Sequence, residues 1–247
     1  MPPRKRRPPP PIDPVDLDGD VKPIRWMLRD TLRLAGRTLL VGASGAGKSW
    51  VALDLCLAVC TGQRWMGLLP APIERPVMYV DEETSAETML NRIEMLCRGR
   101  DIDRHALAST GLLVLFSDSS LANPRSWKLL KLEIAKREPC LIVIDTATRI
   151  VRGDESKAGD VAYFWSECNQ LRDLSRPLFT YPWGEDDEPL PKPEERPAAA
   201  LLLLHHSGWQ DATRPRGLSD WRGGCDVEIG VAHHEIRWNK VRDGVER

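Results

Sequence analysis

The sequence has no surplus of charge of either sign and no long hydrophobic run. Its 247 residues carry a formal net charge of −1, so the whole-chain balance predicts no polyanion partner, and any nucleic-acid affinity must come from local patches. The longest apolar run, residues 198–204, is far too short to cross a bilayer. The basic N-terminus leads into prolines rather than an apolar segment, which argues against a signal peptide. Together these absences predict a cytoplasmic protein that makes no membrane contact.

Metal-binding and disulfide motifs are also missing. The six cysteines are scattered through helix-like and strand-like segments without a CxxC pair, at positions 56, 60, 97, 140, 168 and 225. This usage is typical of reduced, mostly buried thiols. No Cys/His pair stands at zinc-ligand spacing, so a zinc site is not expected. No lid or monophosphate-binding segment is evident either, which disfavours a nucleotide kinase.

Apolar runs alternate with helical stretches along most of the chain. This pattern predicts an α/β fold, with a mainly parallel twisted sheet flanked by helices on both faces. Two further strands joined by a short turn, 226–231 and 235–241, are expected to pair antiparallel at the C-terminal end. The other predicted strands are 38–42, 76–81, 112–116, 140–145 and 199–205, and the predicted helices are 48–61, 85–98, 124–137 and 157–174.

Two proline-rich segments stand outside this alternation. Residues 1–22 combine prolines with basic and then acidic residues, a composition that predicts a disordered tail; an electrostatic tether or a localisation signal is the alternative. Residues 176–198 combine prolines with an acidic run and predict a surface insertion. The rest of 23–247 is expected to form one domain.

The most specific motif is the glycine-rich stretch 42–49, which lies between a predicted strand and a predicted helix. It matches the GxxxxGK[ST] pattern of a phosphate-binding loop, whose backbone N–H groups and helix N-terminus bind phosphate oxygens. Lys48 can reach the terminal phosphates, and the Ser49 hydroxyl can ligate Mg²⁺. The predicted nucleotide-binding residues are Gly42, Ala43, Ser44, Gly45, Ala46, Gly47, Lys48, Ser49 and Trp50.

Carboxylates end two of the predicted strands. Asp145 closes an apolar strand, where a P-loop ATPase places the aspartate that holds Mg²⁺ through water. Asp81, Glu82 and Glu83 close another, and a carboxylate there could activate the attacking water. Because parallel strands present their carboxyl ends at one edge of a sheet, both groups are expected near the nucleotide. A solvated acidic turn is the alternative for any one of the three.

A histidine pair ends the strand at 199–205. Neighbouring residues of a strand face opposite ways, so His205 and His206 are not expected to bind one metal. One of them could instead contact the γ-phosphate, and His206 is the preferred sensor. A satisfied structural histidine is the alternative, above all for His205.

Arginines and tryptophans mark a possible nucleic-acid surface. The segment 209–224 mixes cations and aromatic rings without an apolar period, as a single-strand-binding loop does, although an ordinary basic loop fits its composition equally well. The candidate DNA-binding residues are Arg149, Arg152, Trp209, Arg214, Arg216 and Arg222.

Lys240 and Arg242 are two residues apart on a predicted strand and would project from one face. They suit either a solvated sheet edge or a cationic clamp that completes a neighbouring subunit's site.

In this order, the motifs resemble those of RecA/DnaB-like P-loop ATPases (AAA family ATPases), most closely the RepA-type hexameric replicative helicases. The resemblance covers roughly residues 23–247. The family's phosphate-binding loop falls on 42–49, its catalytic glutamate in an [AD]xE context on Glu83, and its Walker B aspartate on Asp145. Its GDExxxxxD segment resembles 153–160, which has one residue fewer before the final aspartate, and its histidine motif resembles 205–208. A closing KxRxG pattern matches Lys240, Arg242 and Gly244.

The resemblance implies an ATP- and Mg²⁺-dependent DNA helicase or translocase core. It implies a homohexameric ring that hydrolyses ATP between subunits on single-stranded DNA. In that scheme Glu83 activates water, His206 senses the γ-phosphate, and Lys240 and Arg242 act in trans. Two alternatives stay open: a RecA-like recombination or repair ATPase that does not unwind DNA, and a nucleotide-dependent switch with a protein partner.

Overall fold

The computed structural model describes residues 24–116, 121–151, 153–175, 197–208, 219–232 and 235–242. The predicted tail 1–22 and residues 176–196 of the predicted insertion lie outside these ranges. The strands are β1 (Trp26–Leu28), β2 (Leu32–Arg33), β3 (Arg37–Gly42), β4 (Val77–Asp81), β5 (Leu112–Phe116), β6 (Leu141–Asp145), β7 (Ala200–His206), β8 (Val227–Ala232) and β9 (Glu235–Val241). The helices are α1 (Lys48–Thr61), α2 (Ala86–Arg100), α3 (Arg104–Thr110), α4 (Pro124–Arg137), α5 (Ala147–Ile150), α6 (Ala158–Leu174) and α7 (Asp220–Gly224).

A seven-stranded sheet in the order β5-β4-β6-β7-β3-β8-β9 forms the centre of the domain. Every neighbouring pair is parallel except β8 and β9, which run antiparallel. The predicted α/β class, with a mainly parallel sheet and C-terminal antiparallel pairing, is therefore confirmed. The terminal pairing has one added feature: β8 itself runs parallel to β3, so only β9 reverses direction.

The inner strands β4, β6 and β7 are apolar along most of their length because both faces of the sheet are covered there. Alternation divides the side chains of the sheet between two cores: Leu40 and Leu202 belong to the core under α1 and α2, whereas Leu39 and Leu203 belong to the core under α4, α6 and α7. All four of these leucines are almost fully buried. Because the strands from β4 to β8 run parallel, their carboxyl ends lie along one edge of the sheet.

A single arginine contacts several connecting segments at the amino edge of the sheet, opposite the carboxyl ends of the strands. The Arg75 guanidinium donates hydrogen bonds to four backbone carbonyls, those of Glu138 (2.8 Å), Pro139 (2.8 Å), Ser175 (2.6 Å) and Pro197 (2.6 Å). Ser175 and Pro197 are the described residues on either side of 176–196. The same guanidinium therefore fixes the points where the chain leaves for that segment and returns from it.

The six cysteines are free, and five of them are buried, as their scattered positions predict. Among the described residues, no helix has both the length and the apolar character needed to cross a membrane.

Candidate active site

The predicted site residues come together at the carboxyl edge of four adjacent strands. In the order β4-β6-β7-β3, the sheet places Asp145 beside the end of β4 and His206 beside Gly42, because Asp81 pairs with Asp145 and Gly42 with His206. Backbone hydrogen bonds continue past the strands, from Glu82 N to Asp145 O (2.7 Å) and from Ser207 N to Gly42 O (3.0 Å). The order of the strands, which the sequence does not reveal, thus brings these distant residues together.

The glycine-rich loop connects β3 to α1 as predicted, and two of its glycines are required by its shape. Gly47 precedes the helix with φ of 92°, a left-handed conformation that favours glycine. A Cβ at Gly42 would collide with the carbonyl oxygen of Val231 on the neighbouring strand. Residues 43–45 of the loop are exposed, so the helix N-terminus opens towards solvent, where it can accept an anion.

Lys48 lies at the base of this loop, and its side chain is nearly buried. Its Nζ donates hydrogen bonds to the carbonyl oxygens of Gly42 and Ala43 (both 2.9 Å) and lies 3.4 Å from Nδ1 of His206. Burial lowers the pKa of Lys48, while the carboxylates of Asp145 and Glu83 favour its charged form and oppose this shift. The ammonium group therefore lies among the other predicted site residues.

Asp145 is almost fully buried, and its two carboxylate oxygens differ in their surroundings. Oδ2 accepts a hydrogen bond of 2.7 Å from the Tyr79 hydroxyl, whereas Oδ1 has no hydrogen bond of good geometry from the described residues. Burial raises the pKa of Asp145, and the hydroxyls of Ser49 and Tyr79 partly oppose this rise. A buried carboxylate oxygen beside a serine hydroxyl provides the hard oxygen ligands that Mg²⁺ prefers.

The three carboxylates after β4 separate into three different environments. Asp81 accepts hydrogen bonds from Glu83 N (2.7 Å), Thr84 N (3.0 Å) and the Thr84 hydroxyl. These bonds stabilise the turn that follows β4. Glu82 accepts from Leu121 N (3.2 Å), at the approach to α4. Only Glu83 points to the residues of the predicted site, which agrees with its choice over its neighbours.

Glu83 and His206 contact each other at the centre of the site. Oε1 of Glu83 lies 3.4 Å from Nε2 of His206, 3.3 Å from the Thr146 hydroxyl and 3.8 Å from Nε of Arg149. The hydrogen bond with His206 is the main cause that holds the pKa of Glu83 below its ordinary value, against the opposing effect of burial. Glu83 is therefore a carboxylate at neutral pH, and His206 contacts both Glu83 and Lys48.

A cavity of about 650 Å³ opens beside His206, on the side of α5. It is lined by Thr148, Val151, Gly153, Asp154, Glu155, Ser156 and His206. The segment 153–160 forms part of this wall through residues 153–156. Asp160 accepts a hydrogen bond from Asp154 N (2.9 Å), and this contact fixes the start of the segment. The motif thus has a structural role at the edge of the site.

His205 points away from the site. It is fully buried, its ring lies 4.3 Å from that of Trp221 between centroids, and its Nδ1 contacts the carbonyl oxygen of His206 (2.7 Å). The opposite orientations predicted for the two histidines are therefore observed, with His205 in a structural environment and His206 in the site.

The candidate DNA-binding arginines that the structure describes already have partners within the chain. Arg149 is the arginine that lies 3.8 Å from Glu83, so it lines the active site. Arg222 donates to the carbonyl oxygen of Asn239 (2.8 Å) and lies 3.5 Å from Oε2 of Glu228. The DNA-binding role stays a prediction for all six candidates. Four of them lie outside the described residues: Arg152, Trp209, Arg214 and Arg216.

Lys240 and Arg242, the predicted trans-acting pair, contact the end of α7 in their own chain. Lys240 Nζ donates to the carbonyl oxygens of Arg222 (2.5 Å) and Cys225 (2.7 Å). Arg242 donates to Oδ1 of Asp226 (3.3 Å) and to the carbonyl oxygen of Gly223 (3.1 Å). These contacts stabilise the C-terminal end of a short helix, and a role in a neighbouring subunit stays a prediction.

Sequence reasoning missed three hydroxyl-bearing residues that shape the site. Tyr79 contacts Asp145, Thr146 contacts Glu83, and Thr148 contacts Thr146 (2.8 Å). A signal existed for Tyr79, since a tyrosine in the middle of a buried strand needs a partner for its hydroxyl. Naming that partner required the pairing of β4 with β6.

Comparison with known protein families agrees with this geometry. The AAA domain family matches residues 2–176, which include the glycine-rich loop, Glu83 and Asp145. A comparison with curated proteins finds no match. The family match spans more than half of the chain, and the chain therefore belongs to the AAA domain family of P-loop ATPases.

Proposed function

We propose that the protein is the ATPase core of a ring-forming motor that acts on single-stranded DNA, as RepA-type helicases do. In this proposal ATP and Mg²⁺ bind at the carboxyl edge of the sheet. The subunits form a homohexamer in which Lys240 and Arg242 complete the neighbour's site. Membership in a P-loop ATPase family supports nucleotide binding. The DNA substrate and the ring are proposed in addition to what the family membership supports.

The observation that carries the proposal is the position of His206. It contacts Lys48 on the phosphate side and Glu83 on the other side, and it is the last residue of β7. The chain runs from there through Ser207 and Gly208 into the segment predicted to bind DNA. A residue so placed can report the presence of the γ-phosphate directly to that segment, as a motor requires.

The residues around Glu83 supply the means for hydrolysis. Its carboxylate is ionised and oriented by Thr146, Arg149 and His206, so it can accept a proton from the attacking water. Lys48 and the loop amides would hold the phosphates, and Ser49 and Asp145 would hold the cation. A bound Mg²⁺ would neutralise charge on the transferred phosphoryl group.

The test is the ATPase rate with and without a single-stranded oligonucleotide at low salt. We expect stimulation that weakens as salt rises, because phosphate contacts release counterions. Lys48→Ala should abolish nucleotide binding. Lys131→Ala should leave it unchanged, because Lys131 pairs with Glu167 and lies on α4, which covers the face of the sheet opposite α1. An ATPase rate unaffected by DNA would contradict both the helicase hypothesis and the recombination or repair hypothesis, and would favour a nucleotide-dependent switch with a protein partner.

A strand-displacement assay separates the two DNA-dependent functions. Unwinding of a forked duplex supports the helicase proposal, whereas DNA-stimulated hydrolysis without unwinding supports a recombination or repair ATPase. Electron microscopy with an ATP analogue and an oligonucleotide tests the ring, and a closed six-membered ring is the expected result.

A further inference from the structure

The hydrogen bond between Tyr79 and Asp145 lies in the buried centre of the sheet. The Tyr79 hydroxyl donates to Oδ2 of Asp145 at 2.7 Å, and the two residues are 0% and 1% exposed. The pairing of β4 with β6 makes this contact possible. Asp81 is the partner of Asp145, and Tyr79 stands two residues before Asp81, so its side chain lies on the same face of the sheet. A buried tyrosine hydroxyl of this kind needs a partner, and here that partner is a candidate cation ligand.

This contact distinguishes the two oxygens of the Asp145 carboxylate. The last torsion of an aspartate side chain is broad and nearly two-fold, so the carboxylate can rotate unless a neighbour holds it. Tyr79 holds Oδ2, and Oδ1 is left without a hydrogen bond of good geometry from the described part of the chain. The oxygen that would face a cation is therefore determined by a residue that would not itself touch the cation.

We propose that Tyr79 is a positioning residue that orients the Asp145 carboxylate for Mg²⁺ and thereby sets how tightly the site holds the nucleotide-bound cation. The inference deepens the proposed function, since it rests on the assignment of Ser49 and Asp145 as Mg²⁺ ligands. Partners that orient a ligand from behind change metal affinity by about 10- to 100-fold when they are lost.

The experiment measures the Mg²⁺ concentration that gives half-maximal binding of a fluorescent, slowly hydrolysed ATP analogue to the full chain. Tyr79→Phe keeps the ring and removes only the hydroxyl. We expect it to raise this concentration about tenfold, with binding in EDTA unchanged. Electron paramagnetic resonance of Mn²⁺ in the nucleotide complex gives a second, direct readout of the cation's surroundings. Incorporation of 3-fluorotyrosine at position 79, which restores the hydroxyl, should restore the wild-type Mg²⁺ requirement.

Thr38→Val is the matched control for the loss of a buried hydroxyl. The Thr38 hydroxyl donates to the carbonyl oxygen of Thr31 at 2.7 Å, at the opposite end of β3 from the glycine-rich loop. We expect this variant to lose stability in thermal unfolding while its Mg²⁺ requirement stays unchanged. An equal shift in Thr38→Val and Tyr79→Phe would show that Tyr79 acts only through stability and would overturn the inference.

Two other outcomes distinguish the positioning role of Tyr79 from the assignment of Asp145 as a Mg²⁺ ligand. If Asp145→Asn raises the Mg²⁺ requirement and Tyr79→Phe does not, the cation site stands and the positioning role of Tyr79 is overturned. If Asp145→Asn also leaves the requirement unchanged, the cation assignment fails and the inference fails with it.

Discussion

Glu82 and Glu83 are adjacent carboxylates whose different contacts predict that the same mutation lowers the ATPase rate at one position and leaves it nearly unchanged at the other. Glu83→Gln should lower the ATPase rate about 10²- to 10⁴-fold, because an amide cannot accept the proton from water. Nucleotide binding should be retained, since Lys48 and the loop are unchanged. Single-turnover hydrolysis and equilibrium binding measure the two effects separately.

Glu82→Gln is the control for this prediction. Its carboxylate accepts a hydrogen bond from Leu121 N, and an amide oxygen can accept the same bond. We expect the rate to stay within a few-fold of wild type. Loss of activity in Glu82→Gln with normal turnover in Glu83→Gln would reverse the assignment.

At the scale of single elements, the connections at the amino edge of the sheet depend on Arg75. Arg75→Met keeps much of the aliphatic volume and removes the donors to four carbonyl oxygens. We expect it to lower the free energy of unfolding by about 3 kcal/mol, because hydrogen bonds to a charged group are among the stronger ones. Denaturant unfolding measures this loss.

Arg98→Met provides the comparison for Arg75. Arg98 forms an i,i+4 ion pair with Glu94 on α2, and its side chain is 79% exposed. Exposed pairs of this kind contribute little to stability, so this variant should unfold near the wild-type midpoint. Equal losses in both variants would mean that the four carbonyl contacts have no special weight.

The helices and strands with clear end signals could be predicted closely from sequence. The predicted helices 48–61 and 124–137 match α1 and α4 at both ends, since glycines flank the first and an Asn-Pro pair starts the second. The hairpin β1–β2, α3 and the short helices α5 and α7 were not predicted. In α7 the sequence Asp-Trp-Arg-Gly-Gly has low helix propensity, and the helix depends on the burial of Trp221.

The active site was predictable only as far as strand ends could be recognised. Glu83, Asp145 and His206 lie at or just after the ends of apolar strands, and the rule that parallel strands share an edge placed them near one another. Lys48 was predicted from the glycine-rich motif, and Glu83 was preferred to its neighbours because of the family resemblance. The rule does not give strand order, so the contacts of Tyr79 with Asp145 and of Arg149 with Glu83 could not be derived. Arg149, interpreted from sequence only as a DNA-binding candidate, lies in the active site.

At the scale of the whole molecule, the proposed ring with a shared site predicts that two inactive variants can complement each other. Arg242→Ala and Glu83→Gln should each lower the ATPase rate, and mixed rings should regain part of it. In such rings some interfaces combine an intact Glu83 with an intact neighbouring Arg242. The measurement is the ATPase rate of mixtures whose subunit exchange is verified by native mass spectrometry.

Arg237→Ala is the control on the same strand. Arg237 lies on β9, is exposed and pairs with Glu235 (2.6 Å), so its loss should not change the rate. Because Arg242 also contacts Asp226 and Gly223, thermal unfolding must show that Arg242→Ala is folded. Absence of recovery in verified mixed rings would contradict a shared site.

The contacts of Arg75 also have a practical use in protein engineering. Since one guanidinium binds the carbonyls of Ser175 and Pro197, the chain departs and returns at points only a few ångströms apart. A guest domain with neighbouring termini, such as a fluorescent reporter, could replace 176–196 without stretching the host. The graft would lie at the edge opposite the candidate active site and would leave that site free for labelling studies of the ATPase.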